Sequence, residues 1–146
     1  MWPTGTCKRD TGGSGGVPEL TVSWNQQWNG TARGFSPPPD LIVYNEGTND
    51  GPDITNNFIE VVTALQKVAP KAKQLLLRPF DGSHTSPSDP QIQNVVKHFA
   101  TAGEQTVVYG DTTGFYSGED GLHPFGYNHI GAIAPQIASL AAPLLL

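Results

Sequence analysis

The hydrophobic positions of the chain alternate between short apolar runs and longer stretches with helical spacing. Residues 41–44 and 75–77 are continuous apolar runs, which are typical of strands buried on both faces of a parallel sheet, and residues 106–109 give a third strand candidate. Each run is followed by a stretch in which apolar residues recur at intervals of three or four, the spacing of a helix with one buried face. The pattern therefore predicts three strands, each followed by a helix.

Cap residues and prolines set the expected limits of the helices. Asp53 is a good N-cap for the first helix, which Pro70 ends, and Ser88 can cap a second helix that closes near Gly103. The third helical stretch begins at about residue 127. Pro135 lies inside it and predicts a kink or a late start, because a proline ring crowds the carbonyl four residues back.

An alternating order of strands and helices predicts an α/β domain, in which a parallel sheet carries helices on both faces. Residues 1–39 are rich in Gly, Ser, Thr and Pro and show no convincing strand to widen this thin sheet. We therefore expect one domain over residues 1–146, with a loop-rich segment (1–39) before the regular β/α units (40–146), and with further strands preceding Met1. The alternative is a small α/β protein with an irregular N-terminal wrap.

Composition narrows the classes of partner. The chain has 146 residues and a net charge of −5, and its 8 Lys and Arg residues are scattered, which argues against a nucleic-acid or anionic-membrane surface. No apolar run approaches the length of a membrane span. Cys7 is the only cysteine, which excludes a disulfide within the chain and a multi-cysteine metal site. The cellular compartment stays open.

Polar residues follow each predicted strand, at the edge where parallel α/β sheets bind ligands. Asn49 follows the first strand and offers an amide that can donate to a developing oxyanion, with Gly47 giving backbone freedom. After the third strand, Asp120 can turn back onto the ring of His123, a side chain suited to act as a base near neutral pH. The alternative is that these residues are ordinary turn and cap residues.

Two segments resemble motif blocks of the SGNH hydrolases, which are GDSL-like esterases. Residues 47–50, Gly-Thr-Asn-Asp after a predicted strand, resemble the G-x-N-D block, and residues 120–124, Asp-Gly-Leu-His-Pro before the last helix, resemble the D-x-x-H-P block. The order and the structural context of the two blocks agree as well. The resemblance covers roughly residues 37–146.

The resemblance implies a three-layer α/β/α, flavodoxin-like fold and hydrolysis of ester bonds in a small-molecule, carbohydrate or lipid substrate. By this resemblance His123 is the general base, Asp120 its orienting partner and Asn49 an oxyanion donor. Neighbouring residues of the same loops are expected to contact the substrate: Gly47, Thr48, Asp50 and, after the second strand, His84. The family implies no metal and no organic cofactor.

The chain departs from the family at the nucleophile. The family places its serine in a Gly-Asp-Ser segment, which occurs nowhere in this sequence. A second block of the family supplies a backbone N–H to the oxyanion, and Gly5 or a glycine in residues 12–16 is the candidate for it. We therefore interpret the chain as the C-terminal portion of such a domain, which should hydrolyse esters poorly without its nucleophile segment.

Three other interpretations remain. Residues 12–16 formally satisfy the G-x-S-x-G nucleophile pattern around Ser14, although residues 7–11 are no buried strand to carry it, and a flexible loop is favoured. A non-catalytic α/β module that binds sugars or acyl groups is the second. A metal-assisted hydrolase is the third, but its ligand set lacks tight His spacing: Asp81, His84, Asp120 and His123.

Overall fold

In a computed structural model of the protein, the structure describes residues 35, 37–47, 54–80, 87–116, 124, 126 and 129–146, with the backbone alone at 6–7, 17–18 and 129–130. The strands are β1 (Thr6–Cys7), β2 (Val17–Pro18), β3 (Leu41–Tyr44), β4 (Lys73–Leu77) and β5 (Val107–Gly110). The helices are α1 (Thr55–Val68), α2 (Asp89–Thr101), a π-helix (His129–Ile133), α3 (Ala134–Ala141) and a 3-10 helix (Ala142–Leu144).

Strands β3, β4 and β5 form a parallel sheet with β4 in the centre. Val43 lies beside Leu75, and Leu75 beside Val108, so equivalent positions of the strands share one face. The small α/β fold with a three-stranded parallel sheet, predicted from the apolar runs, is confirmed. Because the strands are parallel, the loops that follow them all leave from one edge of the sheet.

Helices cover both faces of this sheet, which makes three layers. Ile42, Leu76 and Val107 point to one face and pack in the core formed with α1 and α2. Leu75 and Leu77 point to the other face and pack with the C-terminal helical region, where Leu140 of α3 reaches them. The prediction of helices on both faces is thus confirmed, with α1 and α2 on one side and the C-terminal helical region, including α3, on the other.

Gly110 lets α3 come close to the sheet. A Cβ atom at this position would lie 2.9 Å from Leu77 Cδ2, 3.0 Å from Leu75 Cδ1 and 3.2 Å from Leu140 Cδ1. These distances are shorter than ordinary van der Waals contacts, so a side chain here would push the helix or the leucines away. The missing side chain of Gly110 is therefore part of the packing between α3 and the sheet.

The helix limits agree with the prediction in position and differ in how they are capped. Ser88 occupies the N-cap of α2 as predicted, but its side chain makes no capping hydrogen bond; its backbone carbonyl accepts from the N–H groups of Gln91 (3.1 Å) and Ile92 (3.0 Å). The N-cap of α1 is Ile54, also without a side-chain cap bond. Asp53, the predicted cap, lies outside the described residues.

The C-terminal helical stretch changes its hydrogen-bonding pattern ahead of Pro135. His129–Ile133 is a π-helix, and the α-helix Ala134–Ala141 follows it, so that Pro135 falls in the first turn of α3. A proline in the first turn costs little, because its missing N–H would have no partner inside the helix. The predicted late start is wrong, because residues 126 and 129–133 are already helical; the irregularity next to Pro135 is instead the π-helical turn that precedes it.

Strands β1 and β2 lie in the segment that was expected to be rich in loops. They pair antiparallel, with Cys7 beside Val17, in a two-stranded sheet of their own. Residues 1–39 therefore do contain strands, although none of their described parts joins the parallel sheet. The sequence could not indicate them, because two residues per strand leave no apolar periodicity to detect.

Candidate functional site at the carboxyl edge of the sheet

The loops after β4 and β5 are tied together where they leave the sheet. The backbone N–H of Arg78 donates to the Gly110 carbonyl at 2.8 Å, and Thr112 Oγ1 donates to the Arg78 carbonyl at 3.0 Å. Further out, the rings of Phe80 and Tyr116 meet edge to face with centroids 5.7 Å apart. The segments that precede the predicted His84 and Asp120–His123 positions in sequence thus start side by side.

Gly47 brings the loop after β3 into the same group of contacts. It is buried, has φ +110°, and a Cβ atom there would lie 2.9 Å from Pro79 Cγ, 3.2 Å from Ser88 Cβ and 3.6 Å from Ile54 Cδ1. Both the backbone angle and the close approach require glycine. The loops after β3 and β4 therefore touch at Gly47.

The side-chain amide of Gln91, in the first turn of α2, joins the far ends of the same two loops. Its Oε1 accepts from the backbone N–H of Ile54 at 2.5 Å, and its Nε2 donates to the Pro87 carbonyl at 3.3 Å. Ile54 precedes α1, and Pro87 precedes α2. One amide group therefore fixes the starts of two helices relative to each other.

A half-buried polar cluster lies at this edge on the side of α1 and α2. Asp89 Oδ1 accepts from the hydroxyl of Tyr109 at 2.5 Å, while Oδ2 accepts from Gln93 Nε2 at 3.1 Å and lies 3.9 Å from Arg78 Nε. Burial raises the pKa of Tyr109, and the hydrogen bond to the Asp89 carboxylate raises it further. This cluster holds the beginning of α2 against the ends of β4 and β5.

Asp111 closes a tight turn directly after β5. Its carboxylate accepts from the backbone N–H of Thr113 at 2.9 Å and from Thr113 Oγ1 at 2.6 Å. These two hydrogen bonds, with a smaller attraction from Arg78, lower the pKa of Asp111. The carboxylate is exposed and engaged with its own turn, which indicates a structural role at the start of the loop.

Of the predicted site residues, the structure describes Gly47. The others lie outside the described residues and stay predictions: Gly5, Thr48, Asn49, Asp50, His84, Asp120 and His123. The same holds for Ser14 and Asp81 of the alternative interpretations. The sequence analysis missed Pro79, Gln91 and Asp89, and it named Ser88 as a helix cap without its contact to Gly47. These contacts link segments far apart in the chain, and the charge of Arg78 directly after a buried strand was the available signal.

Among the described residues, no three His, Cys, Asp or Glu side chains are grouped so that they could hold a metal ion. Within the same ranges, no helix has the length and apolarity needed to cross a membrane.

No protein-family model and no curated protein matches the chain. The resemblance to the SGNH hydrolases thus rests on the two sequence blocks alone.

Proposed function

We propose that this chain supplies the base, orienting acid and oxyanion donor of an SGNH-type serine esterase. The observation that carries the proposal is the junction of three loops at the carboxyl edge of the sheet. Gly47, the first residue of one sequence block, packs on Pro79, while the ring of Phe80 meets that of Tyr116 edge to face, four residues before Asp120 in the chain. Both blocks thus belong to loops that leave the sheet at one edge.

The proposed reaction is hydrolysis of a carboxylic ester in two acyl-transfer steps. A serine hydroxyl attacks the acyl carbon while His123 takes its proton, and the amide of Asn49 donates to the oxyanion that forms. His123, held by Asp120, then gives the proton to the departing alcohol. A water molecule releases the acid from the serine by the same route, which restores the free hydroxyl and the neutral imidazole.

The nucleophile is the part that this sequence does not provide in its family form, because it contains no Gly-Asp-Ser. The same observation favours a second candidate, a non-catalytic α/β module that keeps the loops at the carboxyl edge for binding a sugar or an acyl group. The two candidates differ in one respect that can be measured, which is whether a serine reacts.

The deciding experiment labels the full product of the gene with a fluorophosphonate probe, maps the modified peptide, and measures hydrolysis of p-nitrophenyl acetate. The esterase proposal expects one labelled serine and turnover that falls by several orders of magnitude in His123→Ala. Asn49→Ala should lower kcat by about 10²–10³-fold, the usual effect of removing an oxyanion donor. His98→Ala, an exposed histidine on α2, is the matched control and should keep the wild-type rate.

Each other outcome changes the conclusion. Turnover that survives in His123→Ala contradicts the esterase site proposed here. Labelling at Ser14 makes residues 12–16 the nucleophile loop and overturns the interpretation that the nucleophile segment is missing. If no serine is labelled and no ester is hydrolysed, the binding module is favoured. The next measurement is then titration with an acetylated sugar, followed by NMR.

A further inference from the structure

The loops after β3 and β4 share one packed base. Gly47 and Ile54 flank residues 48–53, and a Cβ atom added at Gly47 would lie 3.6 Å from Ile54 Cδ1. Pro79 and Ser88 stand on either side of residues 81–86, and both pack against Gly47. Ile54, Pro79 and Ser88 are each buried. These four residues, the loop base, therefore hold the entry and the exit of both loops in one place.

Gln91 is the polar link of this loop base. Its single amide group bonds the backbone of Ile54 and the backbone of Pro87, which are the exits of the two loops. The Ile54 N–H lies ahead of α1 and has no intrahelical partner, so an acceptor from another element replaces the missing bond. Loss of the Oε1 atom would leave that N–H to be satisfied elsewhere and would loosen the exit of the first loop.

We propose that Gln91 is a positioning residue for the reaction at this edge, because it fixes the exit of the loop that carries Asn49 relative to the loop that carries His84. The inference rests on the proposed esterase function, since Asn49 is the oxyanion donor there. A donor displaced by a fraction of an ångström loses much of its effect on the transition state while substrate binding changes little. The expected signature is therefore a fall in kcat with KM nearly constant.

Three variants of the full gene product separate positioning from general stability. Gln91→Leu removes the acceptor, whereas Gln91→Glu keeps an oxygen that can accept from the Ile54 N–H. Asn94→Leu removes an exposed side-chain amide from the same helix and leaves the loop base untouched. Esterase kinetics and the hydrogen-exchange rate of the Ile54 N–H are measured in each.

We expect Gln91→Leu to lower kcat by about 10-fold or more, with KM within about 2-fold, and to speed exchange at Ile54. Gln91→Glu should restore both values, and Asn94→Leu should match the wild type in both. Equal kcat and equal exchange in Gln91→Leu and the wild type overturn the proposal.

If the wild-type protein hydrolyses no ester, the proposed function fails and the positioning role is judged by NMR. A shift of the Asn49 side-chain amide resonances in Gln91→Leu, absent in Asn94→Leu, supports the link between Gln91 and this loop. Unmoved Asn49 resonances together with unchanged exchange at Ile54 reject it.

Discussion

Tyr44 and Gln74 are hydrogen-bonded to each other inside the hydrophobic core, across two neighbouring strands. The hydroxyl of Tyr44 donates to Gln74 Oε1 at 2.5 Å, and Gln74 Nε2 donates to the Val62 carbonyl of α1 at 3.4 Å. Gln74 is fully buried in the central strand, and Tyr44 is 4% exposed. Because buried polar groups are costly without partners, this pair defines how β3, β4 and α1 fit together.

We expect Gln74→Leu to lower the free energy of unfolding by about 1–3 kcal/mol, since the Tyr44 hydroxyl loses its acceptor in a buried place. Tyr44→Phe should cost about 1 kcal/mol. The double variant should be more stable than the added effects of the single variants, because it removes both partners of one bond. Urea unfolding of the four proteins measures the coupling, and strict additivity contradicts it.

The same tyrosine makes the fold sensitive to alkaline pH. Burial raises the pKa of Tyr44 in the folded protein above its ordinary value of 10.0, and burial with the Asp89 hydrogen bond does so for Tyr109. Above pH 10.0 the unfolded chain therefore releases protons that the folded protein keeps, and stability falls as the pH rises. Below pH 10.0 both tyrosines are protonated in both states, and this contribution to stability is fully present.

Tyr44→Phe should therefore flatten the loss of stability above about pH 10, and Tyr109→Phe should do so to a smaller extent because Tyr109 is less buried. Urea midpoints across this range, compared with the wild type, give the slope. An unchanged slope in Tyr44→Phe would show that other groups, such as lysines, govern the alkaline transition.

The three strands of the sheet were predictable from their short runs of mostly apolar residues. The face of the sheet to which each side chain points was not predictable. Leu75, Leu76 and Leu77 look alike in the sequence, and only the structure shows that Leu76 meets α1 and α2 while its neighbours meet α3. For the candidate site, Gly47 was found from a motif. Gln91 could not be found in this way, because its partners depend on how two loops return to the sheet edge.

Gly110 offers a test of the packing between α3 and the sheet. Gly110→Ala should destabilise the protein by about 1–3 kcal/mol, because its new Cβ meets leucine side chains from both layers at 2.9–3.2 Å. Gly131→Ala is the matched control: nothing lies within 4 Å of its Cβ position and its φ is not positive, so alanine should be neutral or slightly stabilising. Thermal unfolding compares the two, and equal melting temperatures contradict the close approach of α3.

Gly47 tests whether the loop base depends on the missing side chain. Gly47→Ala combines a backbone angle of +110° with a contact of 2.9 Å to Pro79 Cγ, and we expect a loss of about 2–4 kcal/mol from strain and overpacking together. Gly114→Ala separates the two causes. Its φ is +75° and its Cβ position is open, so it carries only the backbone strain of about 1–2 kcal/mol.

Pro79→Ala removes the ring atom that would meet the new Cβ of residue 47. In the double variant Gly47→Ala with Pro79→Ala, the steric part of the penalty should therefore be relieved, and the remaining loss should approach that of Gly114→Ala. Urea unfolding of the single and double variants measures this. If Pro79→Ala does not reduce the loss of stability caused by Gly47→Ala, the backbone angle alone requires glycine at this position. The contact between the loops after β3 and β4 then contributes nothing to that requirement.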